Sequence, residues 1–252
     1  MPITRWRMPV RYAVLSDVHG NLEALEVVLE HAGRLRPDAY LCLGDTVGYG
    51  PDPDACVRRV RALGGPAIAG NHDRAAAGAL DISAFTPLAR AAISWTGGVI
   101  SEDTRNWLAG LPERAEGPGF LAVHGSPRDP IEEYILDLPT SSAIFAEHVF
   151  TLCLVGHSHV PGAFVLAADG AVGVRRLAAR AVPLAASSRY IINAGSVGQP
   201  RDGDPRACYL LLDLAAHSVT LHRLAYPFAL TQQKMMARGL PAPLAHRLAL
   251  GR

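Results

Sequence analysis

Apolar and polar positions along this chain follow two different periods. Residues 11–15 (RYAVL) and 39–43 (AYLCL) are short continuous apolar runs, the pattern of strands buried on both faces. Between them Leu22, Leu25, Val28 and Leu29 recur at helical spacing over residues 21–32, with Gly33 as the expected stop. Pro53 opens a second predicted helix over 53–63, and 66–69 (PAIA) reads as a short third strand. Such alternation predicts parallel strands joined by crossover helices. Residues 74–112 read as helical but less regular, with Trp95 and Trp107 as packing anchors. Strands are expected again at 119–123 (GFLAV) and 151–155 (TLCLV), and the Pro-rich, polar stretch 125–142 between them as a loop over a site. Beyond residue 160 the pattern changes. Segments 161–168 and 171–177 flank Asp169-Gly170, a hairpin signal, and 189–193, 206–214 and 217–224 add strands. The C-terminal half is therefore expected to be strand-rich and antiparallel. Residues 226–252 read as a helical appendage docking through Leu244 and Leu248.

Composition narrows the classes. A length of 252 residues allows one large core, and nothing divides the chain cleanly, so one domain over 1–252 is expected, its core at about 11–224. The net charge of +1 and an aromatic fraction of 6% offer no strong nucleic-acid surface and no field for an anionic membrane. Cys42, Cys153 and Cys208 sit inside apolar runs, Cys56 in a predicted helix, and no C-x-x-C pair occurs. They read as buried free thiols in a reducing compartment, the cytoplasm. The N-terminus lacks the apolar stretch of a signal peptide, and no window reaches membrane-span length. Met8 stands just before the first strand, so residues 1–7 read as a dispensable start-site extension.

The candidate chemistry lies at strand ends. S-D-V-H-G-N (16–21), L-G-D (43–45), G-N-H-D (70–73), V-H-G-S (123–126) and V-G-H-S-H (155–159) each follow an apolar run and each deliver Asp, Asn or His. Taken singly, several have plain structural readings. Asp17 and Asp45 resemble helix caps, and His124 a satisfied core histidine. Asn71, His72 and Asp73 in succession after Gly70 make poor core, and His157 and His159 beyond a strand read as ligands. Imidazoles, carboxylates and one amide suit divalent transition metals better than magnesium or calcium.

The ordered set D-x-H, G-D, G-N-H-D, H, G-H-x-H resembles the calcineurin-like metallophosphoesterase superfamily. With GDTVGYGPDP, VHGSPRDP and NAGSVGQPRDGDPRA, it is similar to the bacterial and archaeal single-domain phosphodiesterase branch. That resemblance implies an α/β fold, a four-layer α/β/β/α sandwich of two mixed β-sheets flanked by helices, with two metals at its edge. It implies Asp17, His19 and His159 on the first metal, Asn71, His124 and His157 on the second, and Asp45 bridging. Two ions about 3.5–4 Å apart can share a water, lower its pKa and present it as hydroxide to a phosphate ester. Manganese comes first for such a set, with iron, zinc, cobalt or nickel also suited. His72 takes the position of the catalytic histidine at the leaving oxygen. Asp73 either orients it or caps a helix.

One departure bears on substrate. Serine/threonine phosphoprotein phosphatases carry G-D-x-V-D-R-G, whereas this chain has Gly48 and Tyr49 in place of that Asp and Arg. Losing a bidentate phosphate clamp argues against phosphoprotein substrates. Tyr49 either stacks on a base or shapes its loop. Arg201 and Arg206, after the small-residue run 193–200, and Arg128 in the 125–142 loop are candidates for a second phosphate or a nucleotide, with solvated arginines as the alternative. Arg175-Arg176 reads as a solvated pair. The expected activity is hydrolysis of a nucleotide-like or other small phosphate ester, most simply a phosphodiester. A diadenosine-polyphosphate hydrolase is the alternative, ahead of a protein phosphatase or a non-catalytic protein-binding scaffold.

Overall fold

The computed structural model describes residues 10–252, so the expectations for residues 1–7 lie outside it. In chain order the elements are β1 (Arg11–Leu15), α1 (Leu22–Leu35), β2 (Ala39–Cys42), α2 (Pro53–Ala62), α3 (Asn71–Ala76), α4 (Pro87–Val99) and α5 (Glu102–Ala109). Then follow β3 (Arg114–Gly117), β4 (Phe120–Val123), α6 (Leu138–Glu147), β5 (Leu152–Val155), β6 (Gly162–Leu166), β7 (Val172–Arg175), β8 (Val182–Pro183) and β9 (Arg189–Asn193). The chain closes with β10 (Ala207–Asp213), β11 (Ser218–Leu224), α7 (Phe228–Ala237), α8 (Ala242–His246) and a 3-10 turn at Arg247–Ala249.

Two mixed sheets result, ordered β2-β1-β10-β11-β8 and β3-β4-β5-β9-β6-β7. In the first, β1 runs parallel to β2 and antiparallel to β10. In the second, β9 runs parallel to β5 and antiparallel to β6, so the C-terminal half is less uniformly antiparallel than its sequence suggested. Period-two alternation builds the layers. Tyr12, Val14, Leu210 and Leu212 meet Leu152, Leu154, Tyr190 and Ile192 between the sheets. The opposite faces, Ala13 and Leu15 on one sheet and Cys153 and Val155 on the other, pack under α1 and α6 respectively. This is the four-layer α/β/β/α sandwich. Trp107 and Trp95 pack half-buried against the core beneath α5 and the cluster beneath α8. No helix among the described residues is long and apolar enough to cross a membrane.

Several boundaries differ from expectation for local reasons. α1 passes through Gly33 and ends at Arg36, whose backbone is left-handed (φ 51°) and whose N–H donates to the Gly33 carbonyl at 3.1 Å. Pro37 then blocks further helix. Residues 66–69 form only an isolated parallel bridge, Cys42 with Ala67. α6 begins inside the supposed loop, because Asp137 caps it by accepting from the Thr140 N–H at 2.8 Å and Pro139 sits in its first turn.

Candidate metal centre

Five segments converge where strands of both sheets end. The segment after β1 carries Asp17 and His19, that after β2 Asp45, α3 starts with Asn71 and His72, and β4 and β5 lead to His124, His157 and His159. Backbone hydrogen bonds lock the first two together: Asp17 N–H to Gly44 O (3.1 Å), His19 N–H to Asp45 O (2.9 Å) and Gly20 N–H to Thr46 O (3.0 Å). Eight non-glycine residues among those described have positive φ, and Asp17, His19, Asp45, Tyr49, His157 and His159 are six of them. Left-handed backbone costs an L-residue about 1–2 kcal/mol, and such strain gathers at functional sites.

The side chains form two groups, Asp17 with His19 and His159, and Asp45 with His124 and His157, each set of ligand atoms lying within 4.8 Å. Asp45 stands between them, with Oδ2 3.6 Å from His19 Nε2 and 3.4 Å from His124 Nε2. His19, His124 and His159 each turn Nδ1 to a backbone carbonyl, of Val47 (3.1 Å), Leu43 (2.7 Å) and Gln199 (2.5 Å). A carbonyl only accepts, so Nδ1 carries the proton and Nε2 offers its lone pair inward. His157 is reversed. Its Nε2 meets the Glu132 carbonyl at 3.0 Å, which leaves Nδ1 as the lone-pair nitrogen, and Tyr134 stacks on its ring at 3.7 Å.

These residues fit a pair of divalent ions. Asp17 Oδ1, Asn71 Oδ1 and His124 Nε2 are buried without a hydrogen-bond partner, a costly arrangement unless a cation completes it. His19 Nε2 and His159 Nε2 face each other at 3.0 Å, two lone-pair atoms converging on one place. The electrostatics agree. Burial alone would raise the two carboxylates, but the surrounding imidazoles, His159 first among them with Nε2 3.2 Å from Asp17 Oδ1, hold Asp17 well below the usual range. His124, and after it His72, do the same for Asp45. Burial pushes His19 and His159 down, and His157 to about 3, the neutral form a metal ligand needs. His124 goes the other way, to about 9, because the Asp45 carboxylate outweighs its burial.

His72 stands apart from the ligand groups. Its N–H fixes Asp45 Oδ1 at 2.9 Å, and its ring touches those of His19 (4.9 Å), Tyr49 (4.4 Å) and Phe85 (5.3 Å). Its Nδ1 is buried without a partner because Gly48 lies directly behind it. Asp73 does not reach that ring. Its carboxylate caps α3, accepting from the Gly70 N–H and the Val47 N–H, both at 3.2 Å. Of the two readings open for Asp73, the structure shows the cap. Burial and the nearby Asp45 charge push it up to about 7.

A cavity of about 310 Å³ opens beside the centre, lined by Asn71, His72, His157, Tyr49, Arg201 and, from the C-terminal segment, Arg247. Tyr49 is a buried wall of this cavity. The other two candidate arginines are engaged elsewhere. Arg128 pairs with Glu133 and Glu147, and Arg206 with Asp204 at 2.6 Å, and neither lines the cavity. The run 193–200 approaches the Asp17 segment: Ser196 Oγ donates to the Asp17 carbonyl at 2.8 Å and Gly198 N–H to the same carbonyl at 2.9 Å. A β-carbon on Gly198 would stand 1.9 Å from Val18 O, so only glycine permits that contact. Glu132, Tyr134 and Arg247 escaped the sequence reading. The first two lie in the stretch expected over the site, whereas no motif marks Arg247.

Fold and site together define a class, and the comparisons agree: residues 10–161 match the family model described as calcineurin-like phosphoesterase, and the chain belongs to that family of phosphoester hydrolases. Uncharacterized protein MJ0912 of Methanocaldococcus jannaschii is 36% identical over 248 residues, 95% of this chain and 98% of that one. The crystal structure of a metallophosphoesterase from Sphaerobacter thermophilus superposes with a TM-score of 0.85 at 42% identity, covering 97% of this chain and 100% of the other. Hypothetical protein PH1004 from Pyrococcus horikoshii OT3 shares the fold, with a TM-score of 0.78 at 23% identity over 96% and 98% of the two chains. Family and buried ligand groups together support a dinuclear divalent metal site.

Proposed function

We propose that this protein hydrolyses a small, nucleotide-like phosphodiester, holding one ion with Asp17, His19 and His159, a second with Asn71, His124 and His157, and sharing Asp45 between them. The observation that carries the reading is the meeting of two ligand groups across Asp45, at one edge of a cavity that His72 and Arg201 also line. Bound there, two ions supply Lewis acidity, a water of lowered pKa and neutralisation of charge growing on the phosphoryl oxygens. The seven side chains orient the ions, and no protein nucleophile is required.

His72 acts at the leaving oxygen. Burial holds it down to about 4, so it is neutral near pH 7. A buried orphan acceptor costs less than a buried orphan N–H, so Nδ1 against Gly48 is the bare nitrogen and Nε2 carries the proton. A neutral Nε2–H gives a directed hydrogen bond to the departing oxygen. Gly48 and Tyr49 leave no arginine clamp in that loop, which favours a small ester over a phosphoprotein. All seven ligand positions and His72 are filled, which counts against a non-catalytic scaffold. Nitrogen and oxygen ligands suit manganese. Four buried free cysteines fit a reducing cytoplasm.

The test is a screen of manganese-loaded protein against aryl phosphate mono- and diesters, nucleotides, dinucleoside polyphosphates and phosphoserine peptides. Diesters or nucleotides should show the highest kcat/KM. Two bound ions with no hydrolysis of any ester would sink the catalytic reading, and a preference for phosphopeptides would sink the substrate class. Dinucleoside polyphosphates leading the screen would favour the alternative hydrolase reading.

A further inference from the structure

The C-terminal segment supplies no side chain to either ligand group, yet it reaches the cavity beside them. α7 is pinned near α1 and the loop before α2: Lys234 Nζ pairs with Glu23 and bonds Asp52 at 2.7 Å, and Thr231 Oγ1 donates to Glu23 at 2.9 Å. α8 and the turn after it bury Leu244, Ala245 and Leu248 in a cluster with Tyr49, Ala89 and Ala92. This docking sets the Arg247 guanidinium over the Tyr49 ring, 5.4 Å from its centroid. Arg201 lies over the same ring at 5.7 Å. The segments carrying the two arginines are tied together, Gly203 N–H donating to the Gly251 carbonyl at 2.9 Å.

Two guanidiniums on one ring repel each other, and among the described residues no carboxylate forms an ion pair with either. Arg59, Arg61, Arg128 and Arg206 all pair with carboxylates. Among the described residues neither Arg201 nor Arg247 does, although Glu132 lines the same cavity. Arg201 Nη2 finds only the Gln199 side-chain oxygen, at 2.9 Å. Arg201 Nε and Arg247 Nη1 are buried with no acceptor. Burial, and after it the Arg201 charge, pull Arg247 below its ordinary value, a sign that the two feel each other. Stacking on Tyr49 accounts for their position but satisfies no N–H. Unfilled, forked donors in pairs match the oxygens of a phosphate. Both arginines also lie beyond residues 10–161, the part matched by the family model.

We propose that Arg201 and Arg247 form a second anion subsite beside the metal centre, which holds a phosphate of the substrate other than the one being cleaved. The proposal rests on the phosphoesterase reading and deepens it: the preferred substrate carries two phosphates, and the C-terminal segment selects it.

The test uses full-length, manganese-loaded protein and two pairs of probes. Thymidine 5′-(p-nitrophenyl phosphate) is compared in kcat/KM with its 3′-phosphorylated form, which adds only a remote phosphate. AMP is compared with ADP in calorimetric binding, where the second phosphate is adjacent. In at least one pair the second phosphate should gain about tenfold or more, as one charge-assisted bidentate contact allows. Arg247→Gln should collapse that ratio towards one, and Arg247→Lys should keep part of it. The proposal is overturned if neither pair shows a gain, or if the gain survives Arg247→Gln. Equal losses on both members of a pair would also overturn it, making Arg247 a brace for Tyr49. Should Arg247→Gln fail to fold, Arg201→Gln reads the same ratio from the other arginine. Binding reports on the subsite even if no ester is hydrolysed, so failure here is distinct from failure of the phosphoesterase reading.

Discussion

Replacing Gly48 with alanine isolates the contribution of His72. Gly48 has φ of +92°, and a β-carbon there would lie 2.5 Å from His72 Nδ1 and 2.9 Å from its Cγ. Ordinary contact begins near 3.4 Å, so the ring must retreat by about 0.9 Å, the difference between 3.4 and 2.5 Å. A displacement of roughly 1 Å in a positioned catalytic group costs on the order of 10²-fold in rate, about 2.7 kcal/mol. Separately, alanine at positive φ costs about 1–2 kcal/mol of stability, which for a chain of this size lowers Tm by roughly 2–8 °C. The two effects separate in a double-mutant cycle. In a His72→Ala background the two closest ring atoms are gone and only the β-carbon of residue 72 remains near, at 3.1 Å, a contact a few tenths of an ångström of movement relieves. Gly48→Ala should then cost the same Tm but little further turnover. The assay is kcat on an alkyl-leaving phosphodiester, with metal content by elemental analysis and Tm by calorimetry. A full hundredfold loss persisting in the His72→Ala background, or loss of an ion on Gly48→Ala alone, would refute the argument.

Asp45→Asn should abolish turnover and weaken both ions, because Oδ2 faces His19 and His124 alike. Two ions retained at unchanged affinity would end the bridging role. His72→Ala should keep both ions and lose orders of magnitude in kcat, more for alkoxide than for nitrophenolate leaving groups; equal losses would leave His72 no role at the leaving oxygen. In chelator-treated protein, His157 has its folded pKa depressed to about 3 from an unfolded value near 6.5. The stability it contributes is therefore present above pH 6.5 and lost as pH falls towards 3, so His157→Gln should flatten the acid limb of a Tm–pH curve.

The segments that meet at the candidate metal centre are legible in the sequence because each follows a short apolar run, and polar residues in that place have little structural use. The candidates from Asp17 to His159 stand out this way, and the apolar runs around them are β1, β2, β4 and β5. What escaped had weak local signals. β3 (RAEG) is an edge strand with one half-buried face and no apolar run to mark it. Gly33 suggested a stop, but Pro37 and a left-handed Arg36 decided the end of α1. α6 was hidden by a proline-rich context, although Asp137 with Pro139 is a recognisable start. Arg128 and Arg206 looked free in sequence, and only tertiary structure shows Glu147 beside the first, while Asp204 sits two residues before the second. Arg247 reaches the cavity through the docking of α7 and α8, an arrangement no local pattern encodes.

The candidate ligands come from both sheets, and this orders events in folding. The contact of Asp17 with His157 closes across 140 residues. The Asp17 segment depends on β1, which pairs with β10, while His157 and His159 depend on β5, which pairs with β9. With the ligands assigned as proposed above, neither ion has a complete set of donors until both sheets have formed and stacked. Metal cannot nucleate this chain as it does a zinc finger, whose ligands are close in sequence. Added ions should leave the refolding rate nearly unchanged and slow unfolding, because their stabilisation enters after the transition state.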